Sequence, residues 1–370
     1  MVRPRVASRG ASRSRRANKI ETTMIKRERY LELLGRLASR RVLVVGDFIL
    51  DEYLLGDTKR VSREAPVVVI DYKDSMFHPG GAANAVQNVA VLGNHAYACG
   101  VVGADRYGQT LKELLEDRGS DTSGLVETAD ISTAVKTRIL AGELHAQRQQ
   151  VARIDRSYRI TPASRAVEEV RRRAVAKIDA SDVVIISDYG MGVVPGSVSA
   201  SVISAAKVKR IPVVVDSRRD LVSYVGASVG TPNEVELFDA MNVKKNERPD
   251  LAGLAMEAIR ATELEGLVVT RGNRGMLVCG KDGSAAEIGI VGTPYATDVT
   301  GAGDTVAAVV ALSLSSGATL IEAAVMATYA ASIVVMKRGT ATLTREELVA
   351  AHERSPAPSV ALVLPARGGA

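Results

Sequence analysis

Apolar residues come in short unbroken runs along this chain, separated by segments in which they recur every three or four positions. The first run, Val42–Val45, lies in RVLVVGDFILDEY; others fall at DVVIISDYG (182–190), IPVVVDS (211–217) and GLVVTRGNRGMLVCG (266–280). A continuous run marks a strand covered on both faces, as in a parallel sheet. The intervening PASRAVEEVRRRAVAKIDA and RPDLAGLAMEAIRAT carry helical spacing. Strand alternating with helix predicts an α/β fold with a doubly wound, mostly parallel sheet.

Two segments depart from that rhythm. Residues 54–77 and 131–155 alternate apolar with polar positions and are rich in β-branched residues, the pattern of strands with one exposed face. They fit either one small sheet, contributed by two separated insertions over an edge of the main domain, or a pair of surface hairpins. The core strands end in polar clusters: Gly46-Asp47 leading to Asp51, Ser187-Asp188, Asp216-Ser217-Arg218, Thr231-Pro232-Asn233-Glu234 and Thr270-Arg271-Gly272. Ligands of doubly wound sheets bind outside the carboxyl ends of the strands, so these clusters are expected to meet in one cleft.

Composition narrows the function classes. Trp is absent and aromatics make up 4%, which argues against a surface for stacking bases. The net charge of +6 is confined to the first 19 residues, which hold six Arg, one Lys and no acid. The rest is nearly neutral, so nucleic acid is not indicated as a partner of the folded part. Residues 1–24 read as a disordered basic tail or as a start assigned too early, with Met24 the true beginning; the same composition occurs in transit peptides and RNA-binding arms. No stretch has a signal-peptide core or membrane-spanning length, which predicts a cytoplasmic protein without a membrane partner. Cys99 and Cys279 read as buried reduced thiols, and His78, His95, His145 and His352 lack metal-ligand spacing. Residues 355–370 read as a flexible tail.

The chemistry concentrates in DVTGAGDTVAAVVALSLSSG, from Asp298 onward. No G-x-x-x-x-G-K-[ST] is present, and no G-x-G-x-x-G follows the first strand, which disfavours P-loop and dinucleotide-binding enzymes. Thr300 and the turn Gly301-Ala302-Gly303 instead place consecutive amides at a helix N-terminus, where an anion is favoured. Such a nest suits the charge developing on a transferred phosphoryl group. Asp304, in the first helical turn, is placed to take a proton from an attacking hydroxyl. The helix dipole is expected to lower its pKa; the plainer reading is that Asp304 merely complements the helix terminus.

DVTGAGDTV resembles the carboxy-terminal signature of the ribokinase-like (PfkB) carbohydrate kinases, whose final Asp is the catalytic base. HPGGAANAVQNVAVLGNHAYACGVVG resembles their amino-terminal signature, and the two stand in family order about 220 residues apart. The resemblance covers roughly residues 38–350, the expected kinase domain. It implies ATP and Mg²⁺, and a β-lid built from 54–77 and 131–155 that closes over the sugar and forms a homodimer contact. It also assigns roles. Asp51 would accept a sugar hydroxyl, with Gly80, Gly81 and Asn84 forming the sugar-binding turn and helix start. Asn233 and Glu236 of TPNEVE would organise Mg²⁺ and phosphates through water, while Thr270, Gly272 and Gly275 border the nucleotide. Asp298 and Thr300 lie where the family often binds a monovalent cation such as K⁺ through main-chain oxygens. Arg60, Arg63, Lys136 and Arg138 on the lid are candidates for gripping a distal phosphate, or simply a solvated charged surface.

Several blocks, among them VLVVGDFILDEYLLGDTKRVSREAPVVV and KTRILAGELHAQRQQVARID, are similar to bacterial kinase modules that phosphorylate D-glycero-D-manno-heptose 7-phosphate at O1 for ADP-heptose synthesis. Many of those enzymes carry a fused nucleotidyltransferase domain, to which the quoted blocks do not extend. This chain departs from them in three places. Met191 stands where a lysine is common, and Asp216-Ser217-Arg218-Arg219 replaces D-P-K-G, with Arg218 able to take over a phosphate contact. Thr328-Tyr329-Ala330 replaces Asn-Ala-Ala near the adenine pocket. A ribokinase- or fructokinase-like enzyme for an unphosphorylated sugar, or a non-catalytic regulator of the same fold, are the alternatives.

Overall fold

The computed structural model describes residues 25–142, 148–244 and 250–364. The basic tail, His145 and residues 365–370 lie outside them. Helix α1 (Arg27–Arg36) precedes the long strand β1 (Arg41–Val61), on which β2 (Val68–Gly81) folds back. Helix α2 (Ala82–Val91), β3 (His95–Gly103), α3 (Arg106–Glu116) and β4 (Asp121–Thr128) follow, then the hairpin of β5 (Ala134–Gly142) and β6 (Gln149–Arg156). Next come α4 (Arg165–Lys177), β7 (Val183–Asp188), α5 (Ser197–Lys209), β8 (Val213–Ser217) and the short β9 (Val229–Gly230). Helices α6 (Glu234–Ala240) and α7 (Leu251–Thr262) lead to β10 (Gly266–Thr270), β11 (Met276–Gly280) and β12 (Ala285–Ile288). The chain then enters α8 (Ala302–Ser315), α9 (Leu320–Val334), α10 (Arg345–Arg354) and β13 (Val360–Leu364).

The main sheet runs β13-β12-β11-β10-β9-β8-β7-β1-β3-β4. It is parallel from β4 to β10 and antiparallel from β10 to β13. Within β1, Val42 and Val44 face the apolar layer under α1, α2, α8 and α9, whereas Leu43 and Val45 face the layer under α4, α5 and α7. All four are fully buried, which is why the run reads as unbroken. Each contributes about 1.5–3 kcal/mol by leaving water.

Strand β1 serves two sheets. Residues up to Asp47 pair with β3, whereas Phe48 onward pair with β2 on one side and, from Ile49, with β5 on the other. The alternating segments thus form one second sheet, β2-β1-β5-β6, rather than separate hairpins. Asp47 and Asp51 sit at the hand-over, with Asp51 in register between His78 and Lys136.

Two boundaries differ from expectation. Tyr30, Leu33, Leu34 and Leu37 form a buried helical stripe, so the compact unit starts at α1 rather than at residue 38. Arg29 anchors that helix to Glu322 at 2.8 Å and to the Gly317 carbonyl. The expected flexible tail contains β13, which pairs with the open edge of β12 and buries Val360. Its β-branched and apolar residues suit an edge strand. Replacing Leu33 by Ala should leave a cavity in the layer joining α1 to the core. Unfolding by denaturant should then show a loss of about 2–5 kcal/mol.

Candidate active site

Helix α8 begins at Gly301, whose φ of +78° places it in the left-handed region. A side chain there would also meet the Asn84 amide, since a Cβ would lie 2.5 Å from Nδ2. Glycine therefore answers two demands at once: the turn and the approach of α2. Asn84 Nδ2 donates to the Gly301 carbonyl at 3.3 Å and to Asp304 Oδ2 at 2.8 Å. The Tyr189 hydroxyl, from the loop after β7, donates to Asp304 Oδ1 at 2.7 Å. Both oxygens of the carboxylate thus hold a donor, and the side chain is 3% exposed.

Burial pushes the pKa of Asp304 up, against the lowering influence of Asn84, Tyr189, Arg218 and Lys136. This reverses the expected direction: lost hydration outweighs the helix terminus. A raised pKa suits a general base better than a depressed one. The turn itself is only partly open, because the Ala302 amide is engaged by the Val299 carbonyl at 3.2 Å. Gly303 lies in the first helical turn, where amides have no intrahelical acceptor.

The cleft beside this turn has a volume of about 550 Å³ and two unlike halves. One half carries Lys136, Tyr189 and Arg218 around Asp304, and its wall includes Arg138 and Arg153, paired with Asp51 and Asp155. Lys136 Nζ lies 4.7 Å and the Arg218 guanidinium 4.1 Å from the centre of the Tyr189 ring. Burial, helped by Arg218, pushes the Lys136 ammonium pKa down. The other half is bordered by Thr270, Gly272 and Gly275 and lined by Val291, Val299, Thr328 and Val335. Between them Asp216 and Glu236 face the cleft, both with pKa values raised by burial first, Asp216 then by Asp304 and Glu236, and Glu236 against the lowering influence of the Asn233 amide and Arg218.

Asn233 and Glu236 form a reciprocal capping box on α6, with bonds of 2.9 and 2.8 Å, so the motif has a folding role of its own. Asp298 ties two loops, accepting from the Thr300 amide at 2.9 Å and the Gly339 amide at 2.8 Å, which leaves main-chain oxygens for any cation. Asp51 is buried in an ion pair with Arg138 at 2.7 Å. Gly80 lies against it, since a Cβ there would be 2.9 Å from the Asp51 carboxylate, and Gly81 is the cap of α2. Arg60 and Arg63 are exposed and do not line the cleft. Nor does Asp188, which instead accepts from Ser217 and Tyr224 beneath it. Met191 is buried, and its amide donates to Asp47 Oδ2. Sequence reasoning placed Asp216 in the cleft through its strand-end cluster but missed Tyr189, the bond from Asn84 to Asp304, and Arg153; the adjacency of Tyr189 to Asp188 was the one hint.

The family model described as pfkB family carbohydrate kinase matches residues 39–347. The chain belongs to the pfkB family of carbohydrate kinases. Membership implies carbohydrate-kinase chemistry with ATP, usually with Mg²⁺. The bifunctional protein HldE of Citrifermentans bemidjiense is 39% identical over 316 residues, covering 85% of this chain and 64% of the relative. The protein of the same name from Gluconobacter oxydans is 38% identical over 311 residues, covering 83% and 63%. The chain thus spans somewhat under two thirds of the length of these relatives. In fold it matches Arabidopsis thaliana ribokinase complexed with ribose and ATP (19% identity, TM-score 0.64, covering 85% of this chain and 98% of that one). Escherichia coli phosphofructokinase-2 in complex with potassium matches likewise (18%, 0.66, 85% and 98%). Among the described residues no helix is long and apolar enough to cross a membrane.

Asp47 supports the site from below, accepting from the Tyr189 and Met191 amides through Oδ2 while Oδ1 lacks a partner. Burial raises its pKa to about 7, against backbone donors. The folded state therefore holds this proton over a range where the unfolded chain, with an ordinary carboxylate, has lost it. Its contribution to stability is greatest below about pH 4 and is lost as pH rises through 7. Denaturation midpoints measured from pH 4 to 8 should fall with rising pH, and Asp47→Asn should flatten that decline.

Proposed function

We propose that the chain transfers the terminal phosphoryl group of ATP to a sugar that already carries a phosphate, D-glycero-D-manno-heptose 7-phosphate, at O1. The observation that carries this reading is the pair Lys136 and Arg218 beside Asp304, with Arg138 and Arg153 on the same cleft wall, engaged by Asp51 and Asp155. Cations beyond those that flank the ATP phosphates suit a second phosphate, carried by the sugar. The resemblance to heptose 7-phosphate kinase modules, and the HldE relatives, support the same substrate.

In this mechanism the ATP base lies in the slot beside Thr270, Gly272, Gly275 and Thr328, with the triphosphate directed toward Gly301–Gly303. Asp304 takes the proton as the sugar O1 attacks the γ-phosphorus in line; the new P–O bond forms as the bond to ADP breaks. The amides of the Gly301-Ala302-Gly303 turn receive the negative charge that accumulates on the transferred group, Ala302 exchanging its Val299 contact for it. Asp51, freed from Arg138, accepts a sugar hydroxyl beside Gly80, while Lys136 and Arg218 flank the phosphates.

Asp216, Glu236 and Asp304 make this part of the cleft rich in buried acids, which fits a hydrated Mg²⁺ held through water more than an inner-sphere cage; no three-ligand metal cluster occurs among the described residues. When bound, Mg²⁺ neutralises phosphate charge. K⁺ would sit at the main-chain oxygens beside Asp298 and Thr300. The reaction belongs in the cytoplasm, where Cys99 and Cys279 stay free buried thiols.

The second sheet serves as a lid and dimer surface in this proposal. Val61, Val68, Tyr72, Val151 and Ile154 are exposed on it, and every residue of β6 is exposed. Light scattering should give a dimer, and the double change Val151→Ser, Ile154→Ser should give a monomer.

Turnover with ATP and Mg²⁺ should be far higher on heptose 7-phosphate than on ribose or fructose. No activity on the phosphorylated sugar alongside turnover of a free one would replace this reading with the ribokinase-like one. Asp304→Asn should cut kcat by about 10²–10⁴-fold while ATP still binds by calorimetry; full activity would remove Asp304 as the base.

A further inference from the structure

Tyr189 touches more of the reacting machinery than any residue singled out by motif. Its hydroxyl donates to Asp304 Oδ1 at 2.7 Å, and the phenol keeps its proton because burial first, and then Asp304, push its pKa well above the ordinary range. Its ring receives two cations, Lys136 at 4.7 Å and Arg218 at 4.1 Å. Its amide is fixed by the buried Asp47 at 2.8 Å, so the loop after β7 cannot slide without breaking a bond to a buried carboxylate.

We propose that Tyr189 is a positioning residue for phosphoryl transfer: its hydroxyl fixes the carboxylate of Asp304, and its ring gathers Lys136 and Arg218 beside that carboxylate. The proposal rests on Asp304 being the base. The groups that set the charge state of Asp304 come from five places in the fold. They are Asn84 on α2, Lys136 on β5, Tyr189 after β7, Asp216 and Arg218 at and after β8, and Glu236 on α6. Of these, Asn84 and Tyr189 donate hydrogen bonds to the carboxylate, one to each oxygen. A carboxylate with a donor on each oxygen cannot rotate away from the cleft, and each donor favours the ionised form that accepts the sugar proton. Tyr189 keeps its own proton throughout; the proton released by the sugar hydroxyl ends on Asp304.

Met191 is buried and contributes its backbone to Asp47, so it supplies no charge to the cleft. Arg218 stacks on the tyrosine two residues earlier in the chain and brings a cation to the same carboxylate. Cation–π contact of this kind is stronger in a desolvated site than on a surface.

Infrared difference titration of the ligand-free full-length chain reads the Asp304 carboxylate directly, its band being the one missing in Asp304→Asn. In Tyr189→Phe, which keeps the ring, the midpoint of that band should move up by about one to two pH units. The acid limb of the kcat profile should move with it, and kcat should fall about tenfold with the KM for ATP unchanged. Tyr189→Leu, which also lacks the ring, should add a rise in the KM for the sugar. An unmoved midpoint in Tyr189→Phe overturns the positioning role of the hydroxyl, and identical sugar KM values in the two variants overturn that of the ring. Full turnover by Asp304→Asn would instead sink the base assignment, a distinct result that these titrations tell apart.

Discussion

A carboxylate taken out of water has to find replacement donors within the protein, at a cost of several kcal/mol where it does not. Asp304 sits almost wholly buried at the start of α8, and its replacement donors come from α2 and from the loop after β7. Cations from β5 and from the loop after β8 complete its surroundings. Elements distant in sequence therefore meet at one side chain. The glycine at 301 follows from the same constraint, since the Asn84 amide occupies the space where a Cβ would stand.

The two-sheet course of β1 is what brings these donors together. Its first half belongs to the main sheet, whose strand ends point to α8, and its second half carries β2 and β5 away from that plane. Asp47 and Asp51 mark the change of sheet and meet opposite fates. Asp47 is held by amides of the 189–191 segment, one oxygen without a partner, and its pKa rises to about 7. Asp51 faces Arg138 across the β1–β5 pairing. Position along one strand thus decides whether an acid supports a loop or faces a cation.

Periodicity carried the architecture far. The runs at 42–45, 182–190 and 211–217 fall in β1, β7 and β8, and the run at 266–280 is the antiparallel pair β10 and β11. Each is apolar on both faces because helices cover both sides of the sheet. The glycine turn and its acid were legible too, because a helix start with small residues is a local feature. Pairings across long separations were not: Asn84 and Tyr189 reach Asp304 over 220 and 115 residues, and no local pattern encodes such contacts. The direction of the Asp304 pKa was misjudged for the same reason, since the helix terminus is visible in sequence and the degree of burial is not. Helix α1 and strand β13 were overlooked because both are short and border polar segments.

In the proposed mechanism the transferred phosphoryl group rests on the amides at the start of α8 with the acceptor hydroxyl against Asp304. A crystal structure with a non-hydrolysable ATP analogue and the acceptor sugar tests it most directly. The terminal phosphate should lie within hydrogen-bonding distance of the Gly303 amide, and a sugar hydroxyl within reach of an Asp304 oxygen. A terminal phosphate bound away from that turn, or an acceptor hydroxyl facing another side chain, would contradict it.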